Sequence, residues 1–401
     1  MTEQDRSALN GTPEPQATVE EYTVEHNQVL TWPEAVRRRP GMYLGDMHGS
    51  TGLIQLLHST MRFMCAAIPA GTCARVVLSV GRDGSATLTA HGDSGEDLLE
   101  RESSDHALVL DVFLASLFAG GSRPGHTTLA RRDSLAVANA LSASFEVVVE
   151  DGASRWETLW ARGERLTPLA RTGTTDRSAV SLRYQPDPTI FEEVKLDHEA
   201  LADYVDELAC AQGPAEFVLV QAESGATQTF CYADPSVWIR ERSVEEAPFQ
   251  PEPWRFVAER DGFRTELSAM FNRRGGGELR WFIGGMPKVR TRFWCGVECT
   301  LGHALGRLYR ELADRRGTPL ALTAQDVWAG MVGTVSMNGS PVYDVALREL
   351  CDDLVRELRA RLIDHPDILH AHLDRLDLLV RAREANAWFE GCPRSRRHDE
   401  G

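Results

Sequence analysis

The alternation of two apolar periods along the chain is the feature that most constrains its fold. Between Ser50 and Ala67, apolar side chains recur at spacings of three and four residues, which predicts a helix. Ala74–Val80 and Ala86–Ala90 are instead rich in β-branched and apolar residues and flank a Gly-Arg-Asp-Gly turn, which predicts two strands. Both kinds of element recur as far as Glu384. The pattern therefore predicts a fold that mixes helices and strands.

One segment interrupts this pattern and predicts a domain boundary. Glu241–Pro253 carries three prolines among glutamates and few core residues, so we interpret it as a linker. It separates a first domain at 22–240 from a second at 254–390. Residues 1–21 lack apolar periodicity and predict a disordered leader, and 391–401 form a polar tail.

The second domain repeats the alternation of strands and helices. Arg264–Phe271 and Leu279–Ile283 are predicted strands, and Gly275–Gly277 between them predicts a hairpin turn rather than a phosphate loop. Thr300–Asp314 and Val345–Leu362 have the apolar spacing of amphipathic helices. We therefore expect a second sheet covered by helices.

Composition excludes several classes of function. The chain carries 43 basic and 59 acidic residues, a net charge of −16, which disfavours direct binding of DNA by this chain alone. The apolar run Leu108–Ala119 is too short to span a bilayer. The N-terminus has no apolar signal core, so we expect a cytoplasmic protein.

Metal-binding patterns are weak. None of the eight cysteines forms a Cys-x-x-Cys pair, which indicates free thiols in a reducing compartment. His365, His370 and His372 are spaced so that one helix face cannot present all three imidazoles. The sequence therefore predicts no metal site.

Several strings together resemble one family. TWPEAVRRRPGMYLGD (Thr31–Asp46) resembles the start of the B subunit of DNA gyrase and its topoisomerase IV counterpart. The match extends without a gap to Tyr22, which falls where the family's N-terminal dimerisation arm carries a tyrosine. Further matches follow in family order: LFAGGSR (Leu117–Arg123), VANALS (Val137–Ser142), WARGERLTPL (Trp160–Leu169) and LTAQDVWAGMVGTVSM (Leu322–Met337).

This resemblance covers about residues 22–390 and implies an α/β (α+β) fold in two parts. The first part would be a GHKL (Bergerat) ATPase-type α/β sandwich of the HSP90-like class. The second would be a β-α-β transducer domain with a fold like ribosomal protein-type domain 2. No Toprim cleavage region follows in this chain, so a complete DNA-cleaving topoisomerase is not expected from it alone.

The resemblance also implies where the ATPase groups would lie on the first long helix. The family's general-base glutamate falls on Ser59, its supporting histidine on Gln55 and the Mg²⁺-binding asparagine on Phe63. A hydroxyl has no useful basicity near neutral pH, and a phenyl ring cannot ligate a hard cation. His58 is adjacent to Ser59, but neighbouring helical residues point about 100° apart, so we do not expect it to replace the base.

The remaining nucleotide positions depart from the family in the same way. The adenine-reading aspartate falls on Ala90, whereas Gly92 keeps a glycine of the following turn. Thr128–Ser134 replaces the glycines of the lid with residues whose Cβ atoms obstruct phosphate. Arg162 falls on a family arginine at the pocket rim, and Arg348 falls, with a one-residue gap, on the transducer lysine that meets the γ-phosphate.

These positions support three alternative functions. The first is a non-hydrolysing pseudo-ATPase with no cofactor, metal or catalytic residue, which dimerises through the Tyr22 arm and regulates type IIA topoisomerases. Its partner would be a second copy or the B-type polypeptide of a gyrase or topoisomerase. The second is an ATP-dependent type IIA topoisomerase fragment that binds ATP and Mg²⁺. The third is a small-molecule binder in the altered cleft around Ser59, Ala90 and Arg162.

Overall fold

A computed structural model gives the structure of most of the chain. It describes residues 30–67, 73–92, 96–99, 109–117, 135–191, 196–260, 262–274, 277–283, 285–287, 292–323, 325–338 and 344–391. Tyr22, the predicted leader, the lid string Thr128–Ser134 and the tail beyond Gly391 lie outside these residues.

Helices and strands alternate through the first half of the chain. In chain order they are α1 (Trp32–Arg38), α2 (Gly41–Leu44), α3 (Thr51–Ala67), β1 (Cys73–Val80), β2 (Ala86–Gly92), α4 (Glu96–Leu99), α5 (Val109–Ala115), α6 (Leu135–Ala140), β3 (Ser142–Asp151), β4 (Ser154–Ala161), β5 (Glu164–Thr174), β6 (Ser178–Pro186), α7 (His198–Gln212), β7 (Glu216–Gln221), β8 (Thr227–Phe230) and α8 (Pro235–Ser243). The strands form one sheet in the order β5-β4-β3-β6-β2-β1-β7-β8. β1 and β7 pair in parallel and the other neighbours are antiparallel.

The first core lies between this sheet and its helices. Residues of β2 alternate between buried and partly buried, with Leu88 and Ala90 fully covered. Leu53, Leu56 and Leu57 of α3 pack into the same core. α3 contacts α6, α7, β2 and β6, so this long helix lies across the centre of the sheet.

A buried carboxylate at the end of β6 binds two arginines that lie on other elements of the first unit. Asp187 has a fully buried side chain, and its Oδ2 lies 2.8 Å from Arg37 Nη2 and 2.8 Å from Arg162 Nε. Its Oδ1 accepts hydrogen bonds from the backbone and hydroxyl of Thr189. Arg37 also donates to the carbonyl of Ala140, the last residue of α6. Burial raises the pKa of Asp187, but the Thr189 hydrogen bonds and Arg37 outweigh burial and lower it to about 2.

The second half of the chain forms a five-stranded sheet and three long helices. These elements are β9 (Trp254–Arg260), β10 (Phe263–Phe271), β11 (Glu278–Ile283), β12 (Met286–Pro287), α9 (Arg292–Arg316), β13 (Met331–Asn338), α10 (Asp344–Asp364) and α11 (Pro366–Gly391). Side chains of α9, α10 and α11 pack with one face of the sheet in a second core. The long helices are thus one layer of this unit.

The strand order of the second sheet contradicts the predicted hairpin at Gly275–Gly277. The order is β12-β11-β13-β10-β9, so β13 lies between the two strands that the glycines connect. β13 pairs antiparallel with β10 and in parallel with β11. The hairpin prediction was wrong because a strand from much later in the sequence takes the intervening position.

Residues 241–253, predicted as a linker, make several hydrogen bonds with the second unit. α8 extends into it as far as Ser243 and packs on β10 and β13. Beyond α8, the amide of Phe249 donates to the carbonyl of Phe271, and the buried Gln250 bonds Phe271 and Ala269. The connection between the two units is therefore held along its length rather than free.

The C-terminal histidines occupy three different environments. His372 is fully buried and contacts the rings of Phe271 and Tyr309 edge to face, each at 4.9 Å. His365 lies 5.0 Å from the ring of Trp254, and His370 is exposed. Within the ranges given above, no three His, Cys, Asp or Glu side chains form a group able to hold a metal ion.

The helices of the second unit are long but amphipathic. α9, α10 and α11 contain 25, 21 and 26 residues and carry many charged side chains. Among the described residues, no helix combines the length and the apolar character needed to cross a bilayer.

The buried imidazole of His372 predicts a specific loss of stability in mild acid. Burial, helped by the charge of Arg375, lowers the pKa of His372 from 6.5 to about 3. Between pH 7 and pH 5 the unfolded chain therefore binds a proton here that the folded chain does not. Stability falls as the pH falls, by about 2 kcal/mol for one such residue. Urea unfolding of His372→Leu at both pH values should show a pH dependence smaller by this amount.

The control for this measurement is His370→Leu on the same helix. Its imidazole is exposed, so the pH dependence of the parent protein should persist. Equal pH dependence in the two variants would contradict the assignment to His372.

Candidate functional site

The candidate site is a stripe of side chains along α3 together with the end of β2. Gln55, Ser59 and Phe63 follow one another at four-residue spacing, so they lie on one face of the helix. Gln55 and Ser59 are partly buried and Phe63 is buried. α3 packs on β2, which carries Ala90 and ends at Gly92. The five positions that the resemblance assigns to the family's nucleotide site thus lie on two elements that contact each other.

Phe63 is a core residue. Its side chain is 2% exposed, and its ring meets Phe113 of α5 edge to face at 5.1 Å. Edge-to-face aromatic packing adds stability beyond the area that is buried. The position that would hold Mg²⁺ in the family is thus occupied by an apolar ring in aromatic contact.

Ala90 offers no polar side chain at the next position. It is fully buried in β2, opposite Val76 of β1 and Val180 of β6. Gly92 closes the strand with a φ of +148°, a conformation that glycine adopts at little cost. The turn keeps its glycine, but a methyl group stands where the adenine-reading carboxylate would be.

His58 is directed away from the position of the base. Its ring stacks on Tyr204 of α7, with centroids 3.5 Å apart and planes 21° apart. Burial, with a contribution from the charge of Arg62, lowers the pKa of His58 to about 3. The imidazole is therefore neutral near pH 7 and a poor proton acceptor. This geometry agrees with the expectation that His58 does not replace a missing glutamate.

The two arginines that the resemblance assigns to the cleft lie on elements other than α3 and β2. Arg162 occupies the turn between β4 and β5 with a φ of +55° and directs its guanidinium to Asp187. Arg348 is exposed on α10, in the second unit. Phe63 and Ala90 thus belong to one apolar core, whereas Arg162 binds Asp187.

Sequence reasoning missed the acceptor that binds Arg37 and Arg162. Asp187 is followed by Pro188 and Thr189, and its side chain accepts the hydrogen bond from the amide two residues later. Asp-Pro-Thr is a recognisable signal for such a turn. Its pairing with arginines far away in sequence has no local signal.

Comparisons with known proteins identify relatives over most of the chain. The DNA gyrase B protein of Clostridium acetobutylicum is 28% identical over 382 residues, which are 91% of this chain and 60% of that protein. Its counterpart in Archaeoglobus fulgidus is 30% identical over 267 residues, 64% of this chain and 41% of that protein. The chain therefore spans about 41–60% of the length of these curated relatives. No family model matches the chain.

Solved structures show the same fold. The 43K ATPase domain of Thermus thermophilus gyrase B, in complex with an aminocoumarin, superposes with a TM-score of 0.62 at 19% identity, covering 89% of this chain and 97% of that one. The gyrase B protein of Myxococcus xanthus gives 0.61 at 24% identity, covering 85% and 99%.

These comparisons confirm the predicted resemblance and fold class. The chain is related to the B protein of DNA gyrase and hence to type IIA topoisomerases. Its mixed α/β fold is that of the gyrase B structures named above.

Packing at Phe63 predicts that restoring the family's asparagine disrupts the core. Phe63→Asn removes a buried ring and introduces a buried amide, so the free energy of unfolding should fall by about 4 kcal/mol. Phe63→Leu keeps most of the apolar volume and should cost about 1.5 kcal/mol or less. Urea denaturation of both variants measures the difference. An asparagine variant as stable as the leucine variant would show that the side chain faces an open cleft.

Proposed function

We propose that this chain is a gyrase-B-like pseudo-ATPase: a non-hydrolysing, dimerising interaction or regulatory module related to type IIA topoisomerases. The observation that carries the proposal is the burial of Phe63 against Phe113 at the position of the family's magnesium ligand. Mg²⁺ is held by oxygen ligands, and an aromatic ring has none.

Hydrolysis requires a base as well as a metal. The base position holds Ser59, whose hydroxyl cannot remove a proton from water at neutral pH. The nearest imidazole, His58, is stacked on Tyr204 and is neutral. Two separate requirements of the reaction are therefore unmet by the side chains of α3.

The position that the resemblance assigns to adenine recognition also has no hydrogen-bond acceptor on its side chain. Ala90 is buried and cannot accept a hydrogen bond from the adenine amino group. Arg162, which the resemblance assigns to the pocket rim, is engaged by Asp187. These features favour a nucleotide-independent role over the alternative of an ATP-binding topoisomerase fragment, or of a small-molecule binder in the altered cleft.

The role left to the chain is association with other proteins. The matched relatives are named as subunits, which favours a partner of the same kind. We propose a homodimer, or a heterodimer with the B-type polypeptide of a gyrase or topoisomerase, working in the cytoplasm. With a net charge of −16, the chain is not expected to hold DNA without a partner.

Nucleotide titration tests the first part of the proposal. Calorimetric titration with ATP·Mg²⁺, ADP and an aminocoumarin, each to about 1 mM, should show no saturable binding, and phosphate release should stay at background. Ser59→Ala should behave as the parent does, because Ser59 is not used as a base. An authentic gyrase B ATPase fragment serves as the positive control. Saturable ATP binding would favour the topoisomerase-fragment alternative, and aminocoumarin binding alone would favour the small-molecule binder.

Association tests the second part. Size-exclusion chromatography with light scattering at about 10 µM should show a complex with the mass of two chains, either alone or after addition of purified gyrase B protein. Tyr22→Ser should weaken this complex if the arm exchanges between protomers. Tyr43→Ser, at a tyrosine 38% exposed on α2, is the matched control. A monomer under every condition would refute the interaction role.

A further inference from the structure

The second sheet is covered on its other face by helices of the preceding half of the chain. Cys210 of α7 and Trp238 and Ile239 of α8 form an apolar cluster with side chains of that sheet. The sheet residues in this cluster are Met270, Phe282 and Val332. α7 also packs against β7 and β8 of the first sheet, so one helix touches both units.

A buried ion pair crosses this contact. Asp206 of α7 and Arg280 of β11 are 6% and 4% exposed at their side chains, and Oδ2 lies 2.6 Å from Nη2. Tyr232 donates a hydrogen bond of 2.6 Å to Oδ1 of Asp206, and Arg242 of α8 lies 3.4 Å from Oδ2. The guanidinium carbon of Arg280 stands 4.1 Å over the ring of Trp238.

The polar contacts of Asp206 depend on the relative orientation of the two units, whereas the apolar cluster does not. Apolar side chains tolerate sliding, whereas the carboxylate of Asp206 accepts bonds from donors fixed on three different segments. If the second unit moved by a few ångströms, the buried guanidinium of Arg280 would lose its bond to Asp206, whose carboxylate would keep only the bonds from Tyr232 and Arg242. The contact is therefore satisfied in one relative orientation.

We infer that the Asp206–Arg280 pair is a latch that fixes the orientation of the second unit on the first. A second polar contact lies beside it, where Gln212 at the end of α7 donates to the carbonyl of Gly285 next to β12. The latch lies at the contact between the two units, and its residues are not those of the cleft on α3.

Hydrogen exchange of the full chain, without nucleotide, tests the latch. Asp206→Asn and Arg280→Met should each raise the exchange rates of α7, α8 and residues 285–287 on the order of 100-fold, because the contact opens locally. Amides of β1 and β10, within the separate cores, should keep their protection. The distribution of interatomic distances from small-angle scattering should be broader for these variants than for the parent protein.

The matched control is an exposed pair within the second unit. Arg307 and Asp352 lie 2.7 Å apart with side chains 65% and 51% exposed. Asp352→Asn and Arg307→Met make the same chemical changes and should leave exchange and scattering unchanged.

Two results would overturn the latch. In the first, neither interface variant changes exchange at α7, α8 and 285–287. In the second, protection is lost throughout one unit, which would make the pair part of that unit's folding. Nucleotide binding, by contrast, would overturn the proposed pseudo-ATPase role and leave this result untouched.

Discussion

The arrangement of the first unit depends on the ion pairs that the buried carboxylate of Asp187 makes with two arginines. It holds Arg37 of α1 and Arg162 of the β4–β5 turn, while Arg37 reaches the last carbonyl of α6. Both arginines lie in the strings that reveal the relationship to gyrase B. Because Arg37 binds Asp187 and the carbonyl of Ala140, the fold accounts for its place in the RRRPGMYLGD string.

Scaffold and chemistry are separable in this fold for a physical reason. Asn139, in the VANALS string, is buried and donates to the carbonyl of Leu114, so it joins α6 to α5 whatever the cleft contains. Under the proposed function, Ser59, Phe63 and Ala90 stand where the family carries reactive groups that a folded core does not need. A ring at position 63 even strengthens the core through Phe113. The fold of this chain therefore does not depend on the groups that the resemblance would place at these three positions.

Local signals predicted most elements of the structure and missed those that depend on distant partners. The strand predicted at Arg264–Phe271 is β10, which begins at Phe263, and the helix expected at Ser50–Ala67 begins at Thr51. α8 was missed because prolines and glutamates surround it and its packing surface is the second sheet. Ser59 and Phe63 lie on one helix at the spacing that the sequence predicts, whereas the partner of Arg162 follows only from tertiary structure.

The position of β13 has a consequence for the newly synthesised chain. β10 and β11 leave the ribosome before residues 331–338 exist, and each then presents an edge that only β13 satisfies in the native sheet. The glycine-rich connection between them invites direct pairing, which would close a competing hairpin and exclude β13. The second unit folds correctly only if this competing hairpin opens again. Chaperone dependence and aggregation during expression should therefore be greatest for the segment that contains β10 and β11.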